Sequence, residues 1–215
     1  MNKLKGFKYV NLEDNNGNTA LFYAIDSIVI FQKLVDRGAD YNHFNRNGEN
    51  VLMYACRKNK LRLFDYVLKI PDFNVAQFDN FGRNLPMILV ECNHSQELIS
   101  FYNYHSDFDI NFVNKSNESL LSIFINHYIS ELKEKDELIK TKYYEVIRDY
   151  GLMIRALVES GCDFNAYIDG DGNTPMMFFL LIEDYVSAYY LLTKFPKLDL
   201  SIKNKYNANA SYMAF

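Results

Sequence analysis

The chain has 215 residues, 49% of them hydrophobic and 23% charged, with a formal net charge of −4. That much apolar material builds a sizeable core and excludes a disordered chain. Only 9 glycines and 4 prolines exclude collagen-like and low-complexity classes, and the acidic balance argues against a nucleic-acid binder, which carries a basic excess.

The first nine residues are lysine-rich and lack the apolar stretch of a signal peptide. No window approaches the roughly 18 apolar residues a membrane span needs, so no direct membrane insertion is expected. Cys56, Cys92 and Cys162 are widely spaced and form no CxxC pair. Neither a zinc site nor a disulfide framework follows. We expect an intracellular protein, cytoplasmic or nuclear, with reduced and mostly buried thiols.

One phrase then recurs along the chain. It reads Asn or Asp, two variable residues, Gly, one residue, Thr or Asn, then an apolar run. The copies begin at Asp14-Asn15-Asn16-Gly17-Asn18-Thr19, Asn45-Arg46-Asn47-Gly48-Glu49-Asn50 and Asp79-Asn80-Phe81-Gly82-Arg83-Asn84. They continue at Asn114-Lys115-Ser116-Asn117-Glu118-Ser119, Asp169-Gly170-Asp171-Gly172-Asn173-Thr174 and Asn204-Lys205-Tyr206-Asn207-Ala208-Asn209. The glycine-equivalent positions 17, 48, 82, 117, 172 and 207 lie 31, 34, 35, 55 and 35 residues apart. Gly, and Asn after it, tolerates the positive φ of a tight turn. Thr19, Asn50, Asn84, Ser119, Thr174 and Asn209 sit where an N-cap is wanted. Pro86 and Pro175 fall in a first helical turn, where proline is tolerated.

A first helix follows each turn, with apolar spacing at Leu21, Ala24 and Ile25 or Leu52, Ala55 and Cys56. A second helix is expected to place Leu34, Val35, Val67, Leu68, Leu157, Val158, Leu191 and Leu192 in the core. A second phrase closes each unit: Gly38-Ala39-Asp40-Tyr41-Asn42 and Gly161-Cys162-Asp163-Phe164-Asn165 are the full copies. Gly38 and Gly161 read as helix stops. Degenerate copies are Asp72-Phe73-Asn74, Asp107-Phe108-Asp109-Ile110-Asn111 and Lys197-Leu198-Asp199-Leu200-Ser201.

These alternating phrases resemble the ankyrin repeat family across residues 9–215, at close to its 33-residue period. The fourth unit has Asn117 for the glycine, and the third has Pro86 where the family has leucine. The resemblance implies an all-α, ankyrin-repeat solenoid of stacked helix-turn-helix units with short β-turn tips. One domain over 1–215 is expected, with repeats at about 14–44, 45–78, 79–113, 114–168 and 169–202 and a partial repeat at 203–215. The long fourth repeat carries a helical insertion at 126–150. Its Glu131/Lys135 and Asp136/Lys140 pairs at i,i+4, with Leu132, Leu138, Ile139, Tyr143, Tyr144 and Ile147 interleaved, predict two lengthened helices. Such a hairpin would extend roughly 15 Å past its neighbours; a tip that only caps itself and a docking finger are both open readings. Tyr9-Val10-Asn11 matches the exit of a preceding repeat, and Met213-Ala214-Phe215 falls within a first helix. The chain therefore reads as a piece of a longer protein, or one with a covered end.

No catalytic motif survives inspection. His105-Ser106-Asp107 is adjacency rather than triad geometry, and no G-x-S-x-G elbow accompanies it. His43, His94 and His127 lie apart from one another, and Cys92 beside His94 lacks a third partner. Asp169-Gly170-Asp171 resembles the start of a calcium loop, but its twelfth position is Leu180. No P-loop or GxGxxG occurs. No enzyme activity, metal or cofactor is expected.

The resemblance implies a protein or peptide partner docking on the concave side, at the turn tips and the exposed face of each first helix. Register assigns Phe44, Arg46, Phe81 and Arg83 to the tips, and Tyr54, Arg57, Lys58, Ile88 and Glu91 to the inner helices. Tyr, Phe and Arg are favoured anchors at interfaces. Phe44, Phe78 and Phe112 are open to either tip packing or binding; Phe81 occupies a family-variable position and reads as binding. Arg46, Arg57, Lys58 and Arg83 predict a local basic stripe, suited to an acidic or mixed peptide; a solvated charged face is the plain alternative. The domain would act as a monomer or within a complex. A second reading makes it the targeting or autoregulatory segment of a larger enzyme, such as a kinase, acyltransferase or GTPase-exchange factor.

Overall fold

The computed structural model describes residues 9–135 and 140–213. The chain divides into two compact units, 1–106 and 107–215. Among the described residues it is helical, with one isolated bridge, Lys203 to Asn209, and no strand. No described helix is long and apolar enough to cross a membrane.

The first unit holds α1 (Ala20–Tyr23), α2 (Ile28–Val35), α3 (Val51–Arg57), α4 (Phe64–Leu68), α5 (Leu85–Glu91) and α6 (Ser95–Tyr104). Helices α1, α3 and α5 pack in sequence, α2 against α1 and α6 against both α4 and α5. Phe22, Phe31, Leu52, Met53, Phe64, Val67, Leu85, Ile88 and Phe101 fill the space between them. No helix here exceeds 10 residues, so none is stable alone and burial supplies the stability.

The second unit holds α7 (Leu120–Lys135), α8 (Lys140–Glu159), α9 (Pro175–Leu181), α10 (Tyr185–Lys194) and α11 (Ala210–Met213). Its core holds an aromatic cluster. Tyr128 stacks on Tyr150 with ring centroids 4.7 Å apart, and Tyr128 donates its hydroxyl to buried Asp184 at 2.9 Å. The same carboxylate caps α10 by accepting from the Ser187 N–H. The insertion is helical on both sides, in α7 and α8. Its 136–139 segment, and with it the Asp136/Lys140 pair, Leu138 and Ile139, lies outside the described residues, as do the Tyr143, Tyr144 and Ile147 side chains and Ala214 and Phe215.

All six glycine-equivalent positions have positive φ, between 60° and 77°. At Gly48 the requirement is doubled: φ is +73°, and a Cβ would come within 2.7 Å of Asn80 Oδ1. The Asn or Asp opening each phrase is the organiser of its turn. Asp14 accepts from the N–H groups of Asn16 and Asn18, and Asn45, Asp79, Asn114, Asp169 and Asn204 repeat that pair of bonds. Such Asx turns set the tip geometry locally. Neighbouring tips are joined through backbone, Arg46 N–H to Asn16 O and Asn80 N–H to Asn47 O, both at 2.9 Å.

The exit phrase has its own ladder. Asn11, Asn42, Asn111 and Asn165 each accept from a backbone N–H of the next exit, at Asp40, Asn74, Asp163 and Asp199, over 2.8–2.9 Å. Asn42 and Asn165 also donate to the carbonyls of Asp72 and Lys197.

Caps form at Asn50, Asn84 and Thr174, but Thr19 makes no capping bond and its buried hydroxyl is unpartnered. The expected core also needs correction. Leu191 is fully buried, whereas Leu192 is 54% exposed. The inward stripe of α10 is Ser187, Ala188 and Leu191, and one further residue rotates the side chain about 100° away. Leu34, Val35 and Val158 are only half-buried; Phe31 anchors α2 instead. Leu52→Ala should therefore lower stability by about 2–5 kcal/mol, while Leu192→Ala should stay within about 0.5 kcal/mol. Urea denaturation of the two variants checks both.

Candidate functional site

Four of the expected contact residues stand in solvent or at its edge. Phe81, at the tip of the third turn, is 71% exposed. Its backbone N–H is held by Asp79, so the ring is presented on a fixed turn. Phe44 is 38% exposed, and Arg46 and Lys58 are exposed. Tyr54 is half-buried, edge-on to Phe22, with the Lys58 ammonium 5.5 Å from its ring centre. Tyr23, beside them on α1, is exposed and donates its hydroxyl to Asp14. Ile88 was expected on this face but is fully buried, so it contributes to the core and not to contact.

Arg57 has a different role from the one its exposure on a first helix implied. Its guanidinium reaches three carboxylates: Nε to Glu49 at 3.0 Å, one terminal nitrogen to Asp79 at 2.7 Å and the other to Glu91 at 2.9 Å. Arg83 pairs with the second oxygen of Glu91. The Glu49 and Asp79 side chains are 6% and 1% exposed, and their remaining oxygens are engaged, Glu49 by Asn45 and Asp79 by its own turn. Burial works against the Arg57 charge, yet Glu91, Asp79 and Glu49 together hold its pKa above the ordinary value. The expected basic stripe is therefore not present at Arg57 and Arg83. Three carboxylates meet two guanidiniums there, and of the four basic residues expected on the face Arg46 and Lys58 stand outside the cluster.

Three of the histidines bond nearby protein groups. His43 bonds the Gly17 carbonyl, His94 the Cys56 carbonyl, and His127 the Tyr150 hydroxyl. Burial raises the thiol pKa values of Cys56 and Cys92, and pushes Cys162 up to about 12. Such thiols are poor nucleophiles. Among the described residues no three His, Cys, Asp or Glu side chains gather to hold a metal.

Residues 2–79 match the family model for ankyrin repeats, in three copies. Two solved structures share the fold. The ankyrin repeat domain of Bcl-3, a member of the IkappaB family, is 16% identical, covers 96% of this chain and 82% of its own, and has a TM-score of 0.66. An ankyrin repeat domain from Acinetobacter baumannii AYE is 19% identical, with coverage of 88% and 87% and a TM-score of 0.64. The chain has an ankyrin-repeat fold. Ankyrin repeats are in general protein–protein interaction modules, and their domains are in general non-catalytic.

Arg57→Ala would leave Glu49 and Asp79 buried without their cation, and should cost about 3–5 kcal/mol in chemical denaturation; Lys58→Ala should cost almost nothing. A second prediction concerns Asp14. The Tyr23 hydroxyl, then the turn N–H groups, hold its carboxyl below the usual range. Its share of stability is present above the unfolded-state pKa and lost as pH falls through the lower folded value. Tyr23→Phe should move the Asp14 titration upward, read by NMR.

Proposed function

We propose that the chain is a non-catalytic module that binds a partner protein or peptide on the tip and first-helix face of its first unit. The observation carrying this reading is Phe81, a large aromatic in solvent on a turn fixed by Asp79 and tied to the previous tip through Asn80. A rigid, exposed aromatic loses little entropy on binding. Phe44, Arg46, Tyr54 and Lys58 extend the contact surface around it. Arg57, Arg83 and Glu91 lie beneath as a charged floor that fixes α3 against the next turn and α5. Arg46 and Lys58 favour a partner with acidic residues at its rim. The module works as a monomer or within a complex, in the cytoplasm or nucleus, where free Cys56, Cys92 and Cys162 stay reduced.

Phe81→Ala combined with Lys58→Glu should reduce capture of a partner from cell extract by at least tenfold with the helical circular dichroism unchanged. Arg57 is unsuitable for this test because its loss would damage the fold. Undiminished capture by the double variant would move the site off this face.

A further inference from the structure

Helix α10 turns an uncharged face to solvent. Tyr185, Val186, Tyr189 and Leu192 are each more than half exposed, and no charged residue stands between Asp184 and Lys194. Helix α8 packs beside it and exposes Leu152. Between the two helices lies an open groove of about 410 Å³, lined by Arg148, Gly151, Leu152, Arg155, Val186 and Tyr190 among others. Soluble proteins seldom leave contiguous apolar surface of this kind without a use for it.

Two further features narrow the use. The first is Gly151, inside a 20-residue helix, where glycine weakens the helix relative to alanine. Among the described residues nothing requires it. Its φ is not positive, and a Cβ there would meet no atom within 4 Å. The missing side chain simply keeps the groove deep. The second is charge. Arg155, one turn beyond Gly151 on the same side of α8, is exposed. The Arg155 guanidinium lies 5.8 Å from the Tyr190 ring centre, over its face. Among the described residues, no carboxylate lines the groove.

We propose that this groove docks an acidic amphipathic helix of a partner protein. Apolar side chains at i, i+3 or i+4, and i+7 enter over Gly151, between Leu152, Val186 and Tyr190. A carboxylate on the flank of that helix meets Arg155, where arginine offers paired donors. The surface belongs to the second unit and is formed by second helices of successive repeats. It shares no residue with the tip face around Phe81.

A displayed library of 16-residue peptides selected on the full chain tests this. A recovered peptide, synthesised with a fluorescent label, is titrated by anisotropy. We expect apolar residues at helical spacing flanked by Asp or Glu, and a Kd at least tenfold weaker with Gly151→Phe and with Arg155→Glu. Phe81→Ala should leave that Kd unchanged. Both groove positions border open space, so their melting temperatures should match the wild type; should Gly151→Phe unfold, Arg155→Glu decides alone. The proposal is overturned if the recovered peptides lack acidic residues, if none is recovered, or if binding ignores both groove variants. It is also overturned if Gly151→Phe instead abolishes self-association in sedimentation or binding to anionic lipid vesicles, which would make the occupant a second copy or a membrane.

Discussion

The asparagine ladder at the repeat exits is the constraint on which the rest depends. An asparagine side chain is the shortest that carries both an acceptor and two donors, and here it spans from one repeat to the next. Asn42 accepts from the Asn74 N–H while donating to the Asp72 carbonyl; Asn165 does the same to Asp199 and Lys197. Each of these asparagines thus fixes both the spacing and the register of the exit it bonds. These backbone groups lie in loops, where no helix could pair them. Net stabilisation per bond is modest, about 1 kcal/mol, but the geometric effect is large because helices of 4–10 residues in the first unit have no independent direction to follow. The ladder also explains how the fourth repeat tolerates its insertion. Asn111 bonds the Asp163 N–H across 52 residues, so the excursion through α7 and α8 leaves from and returns to an unbroken junction.

A second, stiffer link works at the tips of the first unit. Arg57 joins its own repeat, through Glu49, to the next, through Asp79 and Glu91. Removing three carboxylates and a guanidinium from water is costly, and the pairing offsets that cost only while every oxygen is engaged. It is engaged here: the Asx turn uses one side of Asp79 and the guanidinium the other. The turn and the ion cluster therefore hold each other in place, and the exposed Phe81 between Asp79 and Gly82 inherits that rigidity.

The fold was legible because its punctuation is local. Positive φ at 17, 48, 82, 117, 172 and 207 follows from which residues tolerate it, and asparagine filled in where glycine was missing. The caps at Asn50, Asn84 and Thr174 followed for the same reason. What stayed hidden depends on partners distant in sequence. Nothing near Arg57 announces that Asp79 and Glu91, 22 and 34 residues away, will surround it, so a solvent-facing basic residue was the natural reading. The signal lay in the phrase itself, since Glu49 and Asp79 are acidic at turn positions that register places beside a first helix. Leu192 illustrates the complementary failure. Two adjacent leucines cannot both face inward on one helix, and only the position of Ala188 and Ser187 decides between them. Gly151 was passed over because a helical glycine has no visible purpose until the empty space beside it is seen.

A repeat architecture separates stability from recognition more cleanly than a closed core does. The ladders run through backbone groups and small polar side chains, and they leave the outward helix positions without structural duty. Those positions are therefore free to vary in chemistry at little cost to the fold. In the first unit the proposed recognition lies at the tips, where a fixed turn presents Phe81. In the second the proposed surface lies on α8 and α10, where the tyrosines of α10 and the missing side chain at Gly151 shape a groove. The aromatic core built on Tyr128, Tyr150 and Asp184 bears directly on this second surface. Asp184 caps the helix that forms one wall, and Tyr150 immediately precedes Gly151 on the other. The walls are thus positioned from inside the unit.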